Sequence, residues 1–188
     1  MSSSKPEIWT IGHSTRTLQD FLTLLKQNGI EALADVRRFP GSRRHPQFGR
    51  AQLSATLNNE GIIYQHFEEL GGRRPVQPNS SNTAWRNAGF RGYADYMMTD
   101  AFKIGIKRLL ALAEKKRTAV MCAEALWWQC HRSLIADYLK ALGMNVWHVL
   151  GSNKVEIHPY TPAAHIVDGK LSYRAEDSGL ELPFRSII

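Results

Sequence analysis

Along the chain, short apolar runs alternate with segments whose apolar residues recur every three or four positions. Glu7-Ile-Trp-Thr-Ile11 is rich in β-formers and ends at Gly12, which predicts a first strand. Leu18, Phe21, Leu22 and Leu25 recur at helical spacing and stop at Asn28-Gly29, a helix closed by glycine. Residues 30–36 read as a second strand, residues 51–59 as a short helix, and the alternating residues 62–67 as a third strand. A long helix is expected from about Tyr93 to Lys116, carrying Tyr96, Met97, Phe102, Ile106, Leu109, Leu110 and Leu112. The continuous apolar run 118–123 fits a strand buried on both faces. An amphipathic helix from about Gln129 to Leu142 and a last sheet strand, 145–150, complete the pattern. Strands alternating with helices predict a single α/β domain, a mostly parallel sheet flanked by helices. Asp168-Gly169, between two apolar runs, predicts a peripheral C-terminal hairpin over 165–173.

Composition narrows the class. With 188 residues, 43% apolar and 22% charged, the chain suits one domain with a core that needs no disulfide or structural metal. Collagen-like, disordered and coiled-coil readings are excluded. No run approaches the ~18 apolar residues of a membrane span. Residues 1–6 lack the apolar centre of a signal peptide, and two cysteines eight positions apart make no secreted disulfide framework. The expectation is a soluble cytoplasmic protein with no membrane partner.

Charge changes the picture more. The net charge is +7, and its distribution is uneven. Residues 36–59 contain no acid but hold Arg37, Arg38, Arg43, Arg44 and Arg50; residues 70–94 contain none but hold Arg73, Arg74, Arg86 and Arg91. Both stretches are loop-like in Gly, Pro, Ser and Asn. Arginine forks on acid-free loops point to an anionic partner, a small molecule or nucleic acid. Trp128 is expected to offer a flat surface for a base there.

In an open parallel sheet, ligands bind beyond the carboxyl ends of the strands. The strand ends read Gly12-His13-Ser14, Asp35-Val36-Arg37, Gly71-Gly72-Arg73-Arg74 and Cys122-Ala123-Glu124, with Cys130-His131-Arg132 opening the next helix. His13, Asp35, Glu124, Cys130 and His131 are the candidate catalytic groups. Arg37, Arg43, Arg44, Arg73, Arg132 and Trp128 are the candidate substrate contacts. A cysteine at a helix start beside His131 and Arg132 is expected to have a lowered pKa. Cys122 is expected to point into the core. No dinucleotide, nucleoside-triphosphate, zinc-knuckle or tyrosine-phosphatase spacing is present, so no cofactor or metal is expected.

Thr10-Ile-Gly-His-Ser14, Asp35-Val-Arg37, the arginine loop ending at Phe48, Leu70-Gly-Gly72, Cys122-Ala-Glu124, Cys130-His-Arg132 and Val146-Trp-His148 stand in one order. In that order they resemble the domain of unknown function 488 family over residues 8–150, leaving 151–188 as a C-terminal extension. The resemblance implies an α/β fold and a polar cluster suspected of catalysis, without a reaction. The function expected is an enzyme acting on a phosphate-bearing substrate by acid–base hydrolytic chemistry at the strand ends. The alternatives are a thiol enzyme using Cys130 and a non-catalytic nucleic-acid-binding module.

Overall fold

Burial on both faces accounts for the apolar character of the strands. The computed structural model describes residues 6–41 and 44–175. Strands β1 (Glu7–Gly12), β2 (Ala32–Asp35), β3 (Ile63–His66), β4 (Thr118–Cys122) and β5 (Asn145–Gly151) run parallel, and β6 (Lys154–Ile157) pairs antiparallel with β5. The sheet order is β3-β2-β4-β1-β5-β6. Trp9, Ile11, Leu33, Ala119, Met121 and Val149 point to one face, where helices α1 (Leu18–Gln27) and α2 (Arg50–Asn59) cover them. Ile8, Ala32, Ala34, Val120, Cys122 and Val146 point to the other. There they meet α3 (Ala88–Tyr96), α4 (Asp100–Ala113) and α5 (Arg132–Ala141). The β1–β2 connection skips over β4 with its helix on one face, while the β4–β5 connection skips over β1 in the opposite direction with its helix on the other. Both therefore share one handedness, as crossovers do.

Three sequence expectations are corrected. The single helix expected from Tyr93 to Lys116 is two, because Thr99 caps α4 by accepting from the Phe102 amide and so interrupts the run. The helix expected from Gln129 begins only at Arg132. Residues Trp127–Gln129 form one 3-10 turn, and Cys130 is extended (φ −143°, ψ 169°). The strand at 145–150 is not the last of the sheet: a tight turn through Asn153, in left-handed backbone (φ +57°), returns the chain as β6. The C-terminal hairpin forms as expected from β7 (His165–Val167) and β8 (Lys170–Ser172), with Asp168 and Gly169 both at positive φ. None of the described helices is long and apolar enough to cross a membrane.

The C-terminal extension is stitched to the core through one buried carboxylate. Asp137 of α5 accepts from His158 Nε2 (2.9 Å), the Thr161 amide (2.9 Å), the Thr161 hydroxyl (2.6 Å) and the Tyr173 hydroxyl (2.9 Å). His158 continues to His148 of β5 (2.9 Å), and His148 to Thr10 of β1 (2.6 Å). Trp127 lies flat on His148, with ring centroids 4.5 Å apart. Removing the acceptor leaves the buried donors of three residues unpaired at once, so Asp137→Ala is expected to lower stability by about 3–5 kcal/mol. Urea unfolding measures it; a loss below about 1 kcal/mol would mean that the extension holds without this carboxylate.

Candidate functional site

The carboxyl end of β2 builds a rigid, ion-paired wall. Asp35 accepts from the Arg37 amide (3.1 Å), Arg37 Nε (2.8 Å), Arg37 Nη2 (2.6 Å) and the Tyr64 hydroxyl (2.7 Å). Arg37 Nη2 also donates to the Phe48 carbonyl (2.9 Å). A bidentate pair with every carboxylate oxygen engaged fixes the guanidinium in one pose. Burial and Asp35 together raise the Tyr64 pKa, so its hydroxyl stays a donor. His13, at the end of β1, stacks on Phe48 (4.4 Å) and donates Nδ1–H to the Ser14 carbonyl (3.0 Å). Its Nε2 faces Arg37 Nη1 at 3.4 Å. Burial pushes the His13 pKa down to about 4, with Arg37 acting in the same direction, so the ring is neutral.

At the end of β4 the two cysteines of the chain meet. Cys122 Sγ and Cys130 Sγ lie 3.0 Å apart as free thiols. Burial pushes the Cys122 thiol up, but the Cys130 thiol beside it, the Arg132 guanidinium and the Glu124 backbone together bring it down to about 7. Cys130 moves the other way. The bond to Cys122 holds its proton, burial adds to the effect, and its pKa rises well above the usual thiol value. The cysteine that carries the lowered pKa is therefore Cys122, not Cys130 as expected. Cys130 gains nothing from a helix start, because it lies before α5 in extended backbone and not within its first turn.

Arg132 lies behind this pair, 1% exposed. Its Nη2 donates to the Glu124 and Ala125 carbonyls (3.1 and 3.2 Å), while Nε and Nη1 have no hydrogen-bond partner. No carboxylate among the described residues pairs with it. The carbonyls reach it because β1 and β4 stay in step past their ends: the His13 amide donates to Cys122 O and the Ser14 amide to Ala123 O. The 124–125 backbone then crosses so close to Gly12 that a Cβ there would sit 1.7 Å from the Glu124 oxygen.

A cleft of about 290 Å3 opens above the thiols. Arg37, Arg38, Phe39 and Gly41 line one side, Gly72 and Arg73 another, and Cys122, Ala123, Glu124, Cys130 and His131 the floor and rim. His131 donates Nε2–H to the Val36 carbonyl (3.0 Å). Burial lowers its pKa to about 4 against the pull of that carbonyl. Gly72 must lack a side chain, since a Cβ would come within 2.7 Å of His131 Nδ1. Arg38 Nη1 donates to the Arg73 carbonyl (2.6 Å), and Arg73 holds left-handed backbone (φ +59°), a strain of roughly 1–3 kcal/mol for a residue with a Cβ.

Of the residues expected from the sequence, Arg37, Arg73, Glu124, Cys130 and His131 line this cleft. His13, Asp35 and Arg132 are buried and do not line it; they hold the groups that do. Arg44 and Trp128 are exposed away from it, Trp128 edge-on to Trp127, and Arg43 lies outside the described residues. Cys122, Arg38 and Phe39 were not among the candidates. The signal for Cys122 was its place as the last residue of a buried strand, where a side chain can turn from core to crevice. Among the described residues, no group of three or more His, Cys, Asp or Glu side chains is placed to hold a metal ion. A larger, shallower groove of about 760 Å3 runs along β3, lined by Arg50, Tyr64, His66 and Arg108 among others. There Tyr64 is spent on Asp35, His66 on the Arg37 carbonyl (2.8 Å) and Arg108 on Glu69. The smaller cleft is the one that holds both thiols and Glu124.

The sequence pattern of the family described as Domain of unknown function DUF488 matches residues 17–139. Neither a curated protein nor a solved structure matches the chain.

The buried histidines give the fold a pH dependence. His131 and His148 have pKa values lowered to about 4 and about 2, burial being the main cause in each. The unfolded chain therefore binds more protons than the folded one below about pH 6.5. Their contribution is complete above that pH and is lost as pH falls, by at most about 1.4 kcal/mol per pH unit for each ring. Urea midpoints are expected to drop as pH falls from about 6.5 to 5. A flat profile across that range would contradict the assignment of neutral rings.

Proposed function

Because the chain belongs to the DUF488 family, a domain whose description carries no reaction, we propose its chemistry from the cleft itself. The reading is an enzyme that holds a phosphate-bearing or similarly anionic substrate and attacks it with the Cys122 thiolate. The observation that carries it is the buried Arg132 guanidinium with two unpartnered nitrogens, set behind a pair of thiols 3.0 Å apart. A buried cation without a counter-charge is costly, and a thiolate at Cys122 supplies the missing charge.

Each residue then has a task. Cys122 is the nucleophile and Cys130 the donor that steadies its negative charge. Arg37, Arg38 and Arg73 face the anionic group of the substrate, and Arg37 is the most rigid because Asp35 holds both ends of its fork. Glu124, exposed at the rim, is the carboxylate free to serve a leaving group or a water. Arg132 and His131 are positioning residues. The acid–base hydrolytic scheme has less to work with, since Asp35 is committed to Arg37 and Tyr64, and His13 to Phe48 and Ser14. A cleft of about 290 Å3 suits one nucleotide-sized or smaller group better than a duplex.

Alkylation by iodoacetamide tests the reading without knowledge of the substrate. The rate at Cys122 is expected to rise with pH through about 7, the thiolate being the reactive form. Millimolar phosphate or a nucleotide is expected to slow it, and Arg73→Ala to weaken that protection. Arg132→Met should move the inflection toward the free-thiol value near ~8.5, with Arg132→Lys intermediate. An inflection already at the free-thiol value in the unaltered protein, or labelling of Cys130 first, would sink the proposal.

A further inference from the structure

The distance between the two sulfurs carries a consequence beyond nucleophilic attack. We infer that Cys122 and Cys130 form a redox site that a hydroperoxide oxidises to an intramolecular disulfide, closing the thiolate chemistry of the cleft until an external thiol reopens it. This deepens the thiolate reading and rests on it for which sulfur reacts first.

Three features support the inference. The sulfurs are already 3.0 Å apart, and a disulfide needs about 2.05 Å, so they have only roughly 1 Å left to close. Cys130 sits in the irregular segment between the 3-10 turn at Trp127–Gln129 and helix α5, where backbone can shift more readily than in Cys122's strand. Both cysteines line a cleft open to a small oxidant, although Cys122 itself is 2% exposed. Arg132 also favours the first step, since its charge offsets that of the attacking thiolate against the opposing effect of burial.

The chemistry balances as follows. The Cys122 thiolate attacks the distal oxygen of ROOH; an S–O bond forms, the O–O bond breaks, and RO⁻ leaves to take a proton as ROH. The Cys130 sulfur then attacks the Cys122 sulfenic acid; the S–S bond forms, the S–O bond breaks, and hydroxide departs with the Cys130 proton as water. Two electrons leave the two thiols and reduce one hydroperoxide to an alcohol and water. Two equivalents of an external thiol return the dithiol and are themselves oxidised to a disulfide.

Since the chain has two cysteines, the test is unambiguous. The reduced full-length protein is treated with stoichiometric hydrogen peroxide, unfolded, and examined by thiol titration and mass spectrometry. The unaltered chain is expected to lose both thiols and two hydrogen masses while remaining monomeric on a non-reducing gel, and to recover them with dithiothreitol. Cys130→Ser is expected to stop at a Cys122 sulfenic acid that dimedone traps. Cys122→Ser is expected to react at least about tenfold more slowly, as a protonated thiol does. Retention of both thiols in the unaltered protein, or their loss into chain-to-chain disulfides, would overturn the inference. Alkylation of the reduced protein separates the two ideas. An inflection near 7 without disulfide formation defeats the redox site alone; disulfide formation with a free-thiol inflection defeats the thiolate reading alone.

Discussion

Arg132 is a guanidinium taken out of water without a carboxylate, among the described residues, to meet it, and much of the site is arranged around that fact. Its partners are the carbonyls of Glu124 and Ala125, which reach it because β1 and β4 remain hydrogen-bonded past their formal ends and because Gly12 leaves room for the crossing backbone. A second arginine, Arg16, is held in the same manner, by the Gly12 and Leu150 carbonyls (2.6 and 2.7 Å). Two cations bound through backbone oxygen rather than carboxylate leave the local field positive. In a poorly screened interior, a field of that sign lowers the cost of a thiolate and raises that of an imidazolium. The shifts of Cys122 and of His131 and His148 follow this rule, with Arg132 among the causes in all three.

The cleft wall opposite is built on the reverse plan. There a carboxylate, Asp35, is wholly buried and consumed by Arg37 and Tyr64, so that the arginine is charged, fixed and pointed. One wall thus holds an arginine fixed in a buried ion pair, and the floor holds a thiol whose ionisation the nearby Arg132 favours. The histidines that look catalytic in the sequence serve this frame: His13 backs Arg37, His66 holds its carbonyl, and His131 ties Val36 to the loop that begins at Gly72.

The C-terminal extension is part of the same construction, not an appendage. His158, Thr161 and Tyr173 converge on Asp137, and through His148 and Trp127 they back the segment that carries Cys130. Nothing in the spacing of residues 151–175 announces this. A buried polar network is assembled from single residues on separate segments, and it leaves no periodic trace in any of them. The hairpin, by contrast, was legible because Asp168-Gly169 supplies the left-handed turn locally.

The alternation of apolar runs with helical periodicity was enough, alone, to determine the α/β class, five parallel strands and the edge at which polar residues gather, because strand and helix periods are local properties and the strand-end rule follows from the layers. Arginine-rich, acid-free loops likewise declared a positive surface. What only the tertiary structure decided is which of those polar groups are free. Asp35 and Glu124 look alike in sequence, yet one is locked against Arg37 and the other stands at the rim of the cleft. Cys122 lies in the core as its strand implies, but the shifts of Cys122 and Cys130 differ from expectation, because the contact between the two thiols and the cation behind them depend on distances between segments that the order of residues does not encode.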